Sequence, residues 1–143
     1  MVRCLFGVLA VAFALSLPTG EVRAEKKKLD VKVLYQGSND DEKLVAKAPP
    51  TNIITTQKAF DELFSAWKLG DQKPIIDFKK DSVLVVHTVG SKINLNAMLD
   101  TDNGNLIVGG LATRDLRPGF RYVVGVVPND GVKMVNGKEL PRE

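Results

Sequence analysis

Apolar and polar residues alternate in several short segments of the chain, a pattern typical of strands that bury one face. Residues 29–35 alternate in this way, and residues 93–99 do so again. Residues 83–89 are apolar at nearly every position, which indicates a central strand covered on both faces. The remaining predicted strands are a short one at residues 44–48 and three later ones at residues 106–113, 121–127 and 132–135.

One segment has the period of a helix instead. Its apolar residues recur at i, i+3, i+4 and i+7 and form a single stripe, made of Phe60, Leu63, Phe64 and Trp67. Thr55 or Thr56 can cap the start of this helix through its hydroxyl oxygen, and Gly70 suits the left-handed position that follows many helices. We expect the aromatic stripe to pack on a sheet rather than to bind a ligand.

Turn sequences separate the later strands at residues 102–104, 117–119, 129–131 and 136–137. Because short turns of this kind join antiparallel strands, we predict an α+β fold with one amphipathic helix packed on a mainly antiparallel β-sheet. Residues 25–52 supply an N-terminal strand region and a Pro-Pro link. Residues 53–143 supply the helix and the sheet, and both parts form one globular domain.

The first 24 residues have the layout of an export signal. Arg3 precedes an apolar stretch at residues 5–17, and Val22-Arg23-Ala24 offers a small-x-small cleavage site. The apolar stretch is shorter than the roughly 20 residues that a bilayer-spanning helix needs. We therefore expect residues 1–24 to be a cleaved signal peptide rather than an anchor, which leaves a periplasmic or secreted domain without a stable transmembrane segment.

The cysteine and lysine residues indicate where the exported domain is located and what it can bind. The only cysteine, Cys4, lies in the signal, so the exported domain has no disulfide, no reactive thiol and no cysteine metal site. Because small secreted animal domains are often rich in disulfides, a bacterial envelope is the expected location. The formal charge of the chain is +3, and Lys26, Lys27 and Lys28 form a basic run after the signal. Such a run is typical of a solvated end, with attachment to an anionic surface as the alternative, and nothing in the pattern indicates nucleic-acid binding.

The only histidine, His87, lies in the predicted central strand on the same face as Val83 and Val85. A catalytic base needs a nucleophile and an orienting group, and no serine or threonine near His87 has the surroundings of a nucleophile. We therefore predict a hydrogen-bonded structural histidine. The alternative is a small hydrolase that uses His87 and a nearby carboxylate. No cofactor is predicted.

The segment at residues 100–105 has some features of a calcium loop, because Asp100 and Asp102 have the spacing of its first two ligands. Gly104 then occupies the position of the next ligand, and no bidentate glutamate follows. Asn103-Gly104 between two alternating segments is also a strong hairpin signal. We predict a turn, with a weak cation site at Asp100 and Asp102 as the alternative.

Two further patterns are weak catalytic signals. Asp61, Asp77 and Asp81 have no evident carboxylate partner, and glycosidase-type chemistry needs two carboxylates at a defined separation. Gly109-Gly110 is too short to hold a phosphate group. Paired glycines within a strand indicate instead a bulge or a close approach of the backbone to its neighbours.

The order of these features resembles a known family. The helix with Phe60 and Trp67 is followed by residues 74–86, which read Pro-Ile-Ile-Asp-Phe-Lys-Lys-Asp-Ser-Val-Leu-Val-Val, and then by several strands. Over residues 53–135 the chain resembles the C-terminal domain of the PrcB-like family, named for a partner subunit of a secreted protease complex. That family tends to carry Thr-Gly-Gly-Tyr after the central strand, whereas residues 89–93 here are Val-Gly-Ser-Lys-Ile. The resemblance implies a non-enzymatic accessory domain and names no partner.

We therefore expect an exported, non-catalytic accessory domain that binds or stabilises another envelope or secreted protein, a protease included. The predicted interaction surface is the loop at residues 114–122, because it presents the arginines and aromatic rings that interfaces favour. Its proposed contact residues are Arg114, Arg117, Phe120, Arg121 and Tyr122. An ordinary strand connection is the alternative for this loop. The alternative function is a protease inhibitor of the chagasin-like type. The resemblance to that family rests on Gly109-Gly110 and on Arg117-Pro118-Gly119-Phe120.

Overall fold

The computed structural model describes residues 25–113 and 117–141. The predicted signal at residues 1–24 and Arg114 lie outside the described residues. The elements in chain order are β1 (Lys26–Lys28), β2 (Lys32–Asn39), a 3-10 helix (Glu42–Lys47), β3 (Ile53–Ile54), α1 (Gln57–Trp67), β4 (Asp81–Thr88), β5 (Ile93–Asp100), β6 (Asn105–Ala112), β7 (Phe120–Pro128), β8 (Met134–Val135) and β9 (Lys138–Glu139). The predicted α+β fold, with one helix on a mainly antiparallel sheet, is confirmed.

The strands divide into two sheets rather than forming one. One sheet has five strands in the order β1-β5-β6-β8-β9, and the other has four strands in the order β2-β7-β4-β3. The predicted hairpin between β5 and β6 is confirmed, but β6 and β7 belong to different sheets and β8 runs parallel to β6. The reason is that β7 is apolar on both faces, so it needs cover on both sides and lies between β2 and β4 at the centre of its sheet.

The four-stranded sheet is the middle of three layers, because it packs on the helix with one face and on the five-stranded sheet with the other. Alternate residues of β4 face the two sides: Leu84 and Val86 enter the inter-sheet core, whereas Val83 and Val85 enter the helix-side core. The buried members of the inter-sheet core are Leu29, Ile53, Leu84, Val86, Ile93, Ala97, Leu99, Leu106, Val108, Val123, Val127 and Val135. The buried members of the helix-side core are Ile54, Phe60, Leu63, Trp67, Leu69, Val83, Val85, Phe120, Tyr122 and Val124.

The N-terminal strand region crosses from one sheet to the other. The alternation at residues 29–35 predicts one strand with a single apolar face, but the chain first pairs with β5 through β1 and then with β7 through β2. A register shift between Val33 and Tyr35 marks a bulge in β2, and it changes the face that each later side chain takes. Before the bulge, Val31 packs against the inter-sheet core and Val33 is 51% exposed, whereas after it Tyr35 packs against the helix-side core.

The ends of the helix follow local hydrogen-bonding chemistry. Thr56 is the N-cap, and its Oγ1 accepts a hydrogen bond from the backbone N–H of Ala59 at 3.3 Å. The left-handed residue at the other end is Lys68, with φ 52°, and not the predicted Gly70. The chain turns at Lys68 because this conformation returns Leu69 to the helix-side core, where its N–H donates to the carbonyl oxygen of Phe64.

The predicted strand at residues 44–48 is wrong. This segment belongs mainly to the 3-10 helix, which Asp41 caps by accepting a hydrogen bond from the N–H of Lys43. The 3-10 helix is held against α1 by Trp67, whose Nε1 donates to the carbonyl oxygen of Leu44 at 2.8 Å. Among the described residues, no helix is long and apolar enough to cross a membrane.

Candidate functional site

An open groove of about 830 Å³ lies beside α1 at the edge of the four-stranded sheet. Its floor is apolar and includes the buried residues Ile53, Ile54 and Leu63. Its lining comprises Lys47, Ala48, Pro49, Pro50, Thr51, Ile53, Ile54, Thr55, Thr56, Ala59, Glu62, Leu63, Ser65, Ala66, Glu139 and Pro141. Three separate segments of the chain therefore build it: residues 47–56, which include β3, one side of α1 from Ala59 to Ala66, and the C-terminal end of the described chain.

The Pro-Pro link determines the shape of one side of the groove. Proline cannot continue a helix and restricts the residue before it to extended backbone, so the 3-10 helix ends at Lys47 and Ala48 is extended. The chain then turns at Asn52, whose φ is 60° and whose N–H donates to the carbonyl oxygen of Pro49 at 3.0 Å. The two residues of β3 that follow leave only a short strand at this edge.

The backbone of β3 has one side directed away from its sheet. The N–H of Val85 in β4 donates to the carbonyl oxygen of Asn52 at 2.9 Å, so the carbonyl of Asn52 faces β4. In an antiparallel ladder the peptide groups of successive residues point in opposite directions. The N–H and C=O of Ile53 therefore point away from β4, but Ile53 is only 1% exposed, so the neighbouring segments cover these groups.

The side chains around the rim add polar and charged groups. Lys47 stands on one side, and Glu62 and Glu139 are the acidic residues of the lining. Thr51, Thr55 and Ser65 add hydroxyl groups that both donate and accept hydrogen bonds. The groove is thus apolar at its base and polar at its rim, as protein interfaces commonly are.

Some residues of the predicted interaction loop are exposed, and others lie in the helix-side core. Phe120 is 0% exposed and Tyr122 is 8% exposed, because both rings pack around Trp67, with ring centroids 5.0 and 5.3 Å from it. Neither ring is therefore available to a partner on the folded domain, which corrects their assignment to an exposed contact surface. Arg117 is exposed and Arg121 is partly buried, with Nη1 of Arg121 donating to the carbonyl oxygen of Pro118.

His87 lies on the helix-side face of β4, as predicted, among aromatic rings. Its ring is edge-on to Trp67 and Phe120, with centroid distances of 6.3 and 6.4 Å. Its Nδ1 atom is buried and has no hydrogen-bond partner within the described residues, so the prediction of a hydrogen-bonded histidine is wrong at this atom. Burial lowers the pKa of His87 below its usual value, because the charged imidazolium loses its hydration there.

The turn at residues 100–105 uses its oxygens internally. The two carboxylate oxygens of Asp100 accept hydrogen bonds from the N–H of Asp102 and from Nδ2 of Asn103. Gly104 has φ 71° and donates its N–H to the carbonyl oxygen of Asp100. These contacts are those of a tight β5–β6 hairpin turn. Within residues 25–113 and 117–141, no group of three or more histidine, cysteine, aspartate and glutamate side chains is placed to hold a metal ion.

The other carboxylates that the sequence singles out have separate structural roles. Asp61 pairs with Lys73 at 2.8 Å and accepts a hydrogen bond from Gln57, and these contacts lower its pKa. Asp77 accepts a hydrogen bond from the N–H of Lys79, which shapes the turn before β4. The predicted close approach at Gly110 is confirmed, since a Cβ atom there would lie 2.7 Å from Cγ1 of Val86.

Sequence reasoning missed the groove, because its lining comes from segments that are far apart in the chain. Pro49-Pro50 is the one local signal of the groove, because two successive prolines indicate an extended link before the helix. No family model matches this chain, and neither the curated proteins nor the solved structures searched give a match.

Proposed function

We propose that this chain is an exported, periplasmic or secreted, non-catalytic accessory domain that binds or stabilises another exported protein. We further propose that the groove beside α1 holds an extended, mainly apolar segment of that partner. The observation that carries this proposal is the open groove of about 830 Å³ with a largely apolar lining, which lies beside α1 and the edge strand β3. The resemblance to the PrcB-like family supports the same role, because it implies an accessory domain of a protein complex.

The physical argument for a peptide occupant rests on the polar rim and the exposed apolar lining. A peptide in the groove can form hydrogen bonds with the hydroxyl groups of Thr51, Thr55 and Ser65, worth about 0.5–1.5 kcal/mol each in net terms. Its apolar side chains gain further free energy by covering the partly exposed side chains of Ala48, Pro49 and Ala66. Small residues on the helix side of the groove, Ala59 and Ala66, leave room for a backbone to approach.

The occupant is expected to come from another molecule rather than from the chain's own beginning. Residue 25 leads into β1, and β1 is the outer strand of the five-stranded sheet at the edge opposite β9. The groove includes Glu139 of β9 and therefore lies at the other edge of that sheet.

The test compares Ala59→Arg with Ala46→Arg as a matched control. Both alanines are exposed, but Ala59 lines the groove whereas Ala46 lies on the neighbouring 3-10 helix outside its lining. Each variant and the unchanged chain are immobilised, exposed to the native envelope or secreted fraction, and analysed by mass spectrometry. We expect one protein to be retained by the unchanged chain and by Ala46→Arg and lost from Ala59→Arg, because a long charged side chain blocks the apolar floor.

Two results of this experiment would contradict the proposal. Equal retention by all three proteins would mean that the partner does not use the groove. Absence of any retained protein would remove the reason to assign a protein partner. Trp67 fluorescence during urea unfolding checks that Ala59→Arg and Ala46→Arg keep the stability of the unchanged chain.

The two alternative functions have less support. An inhibitor that acts through residues 114–122 loses two of its five proposed contacts, because Phe120 and Tyr122 are buried. A hydrolase that uses His87 needs a group to orient the imidazole, and Nδ1 of His87 has no hydrogen-bond partner within the described residues.

A further inference from the structure

The second half of β6 is an exposed strand edge, although β6 lies inside its sheet in the strand order. β8 pairs only with Asn105 and Leu106 of β6, so within the described residues the rest of β6 has a neighbouring strand on the β5 side alone. The outer strands of the two sheets carry features that discourage pairing with a further chain. β1 consists of three lysines, β2 contains a bulge, and β3 and β9 have two residues each. Residues 107–112 of β6, in contrast, contain neither a charged residue nor a proline.

Asn136 shows which peptide groups of β6 face this edge. Its Oδ1 accepts a hydrogen bond from the N–H of Val108, and its own N–H donates to the carbonyl oxygen of Leu106, both at 2.9 Å. Alternate residues of an antiparallel strand direct their peptide groups to the same side, so those of Gly110 and Ala112 also point away from β5. In the part of the chain that the structure describes, the N–H and C=O groups of Gly110 and Ala112 make no hydrogen bond. The edge therefore offers two donors and two acceptors.

An exposed leucine lies between these two residues. Val108 enters the inter-sheet core, so Leu111 lies on the opposite, outer face of the sheet, where it is 74% exposed. Val89 adds apolar surface at the end of the strand. It is 63% exposed and precedes Gly90, where a Cβ atom would lie 2.9 Å from that of Ala112. The free peptide groups and the exposed apolar side chains thus occur together.

We propose that this edge pairs with the same edge of a second copy of the chain, antiparallel and across a two-fold axis at Leu111. In this register Gly110 of each copy faces Ala112 of the other, and the two residues exchange hydrogen bonds in both directions. Four hydrogen bonds form, and they use every free N–H and C=O group of Gly110 and Ala112. The two Leu111 side chains face each other in the pair without hydrogen bonds, where Cα atoms are about 4.5 Å apart, and each covers the other.

Asn136 selects this register over the neighbouring one. An axis at Gly110 would pair Ala112 with Val108 of the other copy, but the N–H of Val108 already donates to Asn136. An axis at Leu111 leaves that hydrogen bond in place. The free stretch therefore has the length that symmetric pairing needs, and no donor or acceptor at Gly110 or Ala112 is left over.

The composition of the edge favours a second copy over an unrelated strand. A two-fold axis at Leu111 brings each side chain near its own counterpart, so a charged residue here would lie close to a like charge. Residues 107–112 carry no charge, and Gly109 places no side chain beside Leu111. The contact is closed, because a two-fold interface uses the same patch on both partners. Since few residues take part, we expect a dimer that dissociates on dilution.

This inference is independent of the groove. Gly110, Leu111 and Ala112 are not among the residues that line the groove. Substitutions at Leu111 are therefore expected to leave capture of a partner through the groove unchanged. A chain that does not dimerise can still capture its partner, so failure of one proposal is distinguishable from failure of the other.

Sedimentation velocity of the full chain, from low micromolar to near-millimolar concentration, tests the pairing. We expect a monomer at the lowest concentration and a dimer at the highest. Leu111→Lys and Leu111→Glu are each expected to raise the dissociation constant at least about tenfold, because like charges then face each other across the axis. An equimolar mixture of these two variants is expected to regain the dimer, since a lysine then faces a glutamate.

Met98→Lys is the matched control for the charge variants. Met98 lies in β5 on the same outer face and is 41% exposed, but it is away from the edge, so its dimer is expected to be unchanged. Ala112→Pro removes the outward N–H without removing a hydrogen bond to β5, and it is expected to abolish the dimer. Trp67 fluorescence during urea unfolding checks that each variant is folded.

Three results would overturn the inference. A monomer at every concentration would mean that the edge does not pair with a second copy, and it would leave the edge to an extended segment of another protein. An equally strong dimer in Leu111→Lys and Ala112→Pro would place the contact elsewhere, residues 1–24 included, because all the variants share them. A mixture of Leu111→Lys and Leu111→Glu that stays monomeric would exclude a two-fold axis at Leu111.

Discussion

Two neighbouring glycines in β6 show how one position in a strand differs from the next. A Cβ atom at Gly110 would lie 2.7 Å from Cγ1 of Val86 and 3.1 Å from Cγ2 of Ile93, whereas a Cβ atom at Gly109 meets nothing within 4 Å. The inner face of β6 therefore approaches β4 and β5 so closely that only a hydrogen atom fits at Gly110. The sequence predicts a close approach at this pair, but it does not say which glycine makes it.

We expect Gly110→Ala to lower the free energy of unfolding by about 1–3 kcal/mol, because the added methyl group overpacks the inter-sheet core. Gly109→Ala is the matched control. Its methyl group points to open space, and alanine reduces the freedom of the unfolded chain, so its stability is expected to be unchanged or raised by up to about 1 kcal/mol. Urea unfolding curves measure both, and equal destabilisation by the two variants would contradict the packing described for β6.

Protonation of His87 is expected to destabilise the fold. Burial lowers the pKa of His87 in the folded chain below the usual 6.5, so at pH values just below 6.5 the unfolded chain binds more protons than the folded chain. The free energy of unfolding is therefore fully retained above pH 6.5 and falls as the pH decreases below it. The measurement is the urea midpoint between pH 8 and pH 5. His87→Phe is the control, and its curve should lack this part of the pH dependence. A fall of the same size in that variant would assign the effect to other groups.

At the scale of elements, the sequence predicts best where one local pattern settles the structure. The helix was predicted from the stripe that includes Phe60 and Trp67, and the central strand was predicted from the apolar residues of β4. The 3-10 helix was missed, because its short apolar segment at residues 44–48 has no period long enough to distinguish it from a strand. The bulge in β2 was missed for a similar reason, since one extra residue changes the face without changing the alternation in the sequence.

The candidate site was less predictable than the elements. The groove depends on the approach of the Pro-Pro link, α1 and the residues around β9, and a pattern confined to one segment cannot reveal such an approach. The residue types of the loop at residues 114–122 predict an interaction surface, but Phe120 and Tyr122 of β7 point into the helix-side core.

At the scale of the whole molecule, the four-stranded sheet is common to both cores. Each of the central strands β4 and β7 contributes side chains to the helix-side core through one face and to the inter-sheet core through the other. Loss of either core therefore leaves half of the surface of these strands uncovered. We infer that the two cores unfold together.

This cooperativity can be measured with the single tryptophan. Trp67 reports on the helix-side core, whereas far-UV circular dichroism reports mainly on the strands of both sheets. We expect the two signals to give the same urea midpoint. Leu106→Ala, in the inter-sheet core, is expected to shift both midpoints equally and to lower the free energy of unfolding by about 2–5 kcal/mol. A shift of the circular-dichroism midpoint that leaves the midpoint of Trp67 fluorescence unchanged would show that the cores unfold separately.

The path of the N-terminal region along two sheet edges has a mechanical consequence. A force that pulls residue 25 away from the domain meets the three residue pairs of β1 first, and it then meets β2, the outer strand of the other sheet. Edge strands pulled from one end detach pair by pair, so this region can peel away while β4 and β7 stay paired. The hydroxyl of Tyr35 in β2 holds Gln72. Tension on the N-terminus would therefore release the connection between α1 and β4 at Gln72 before it reached the interior of the protein.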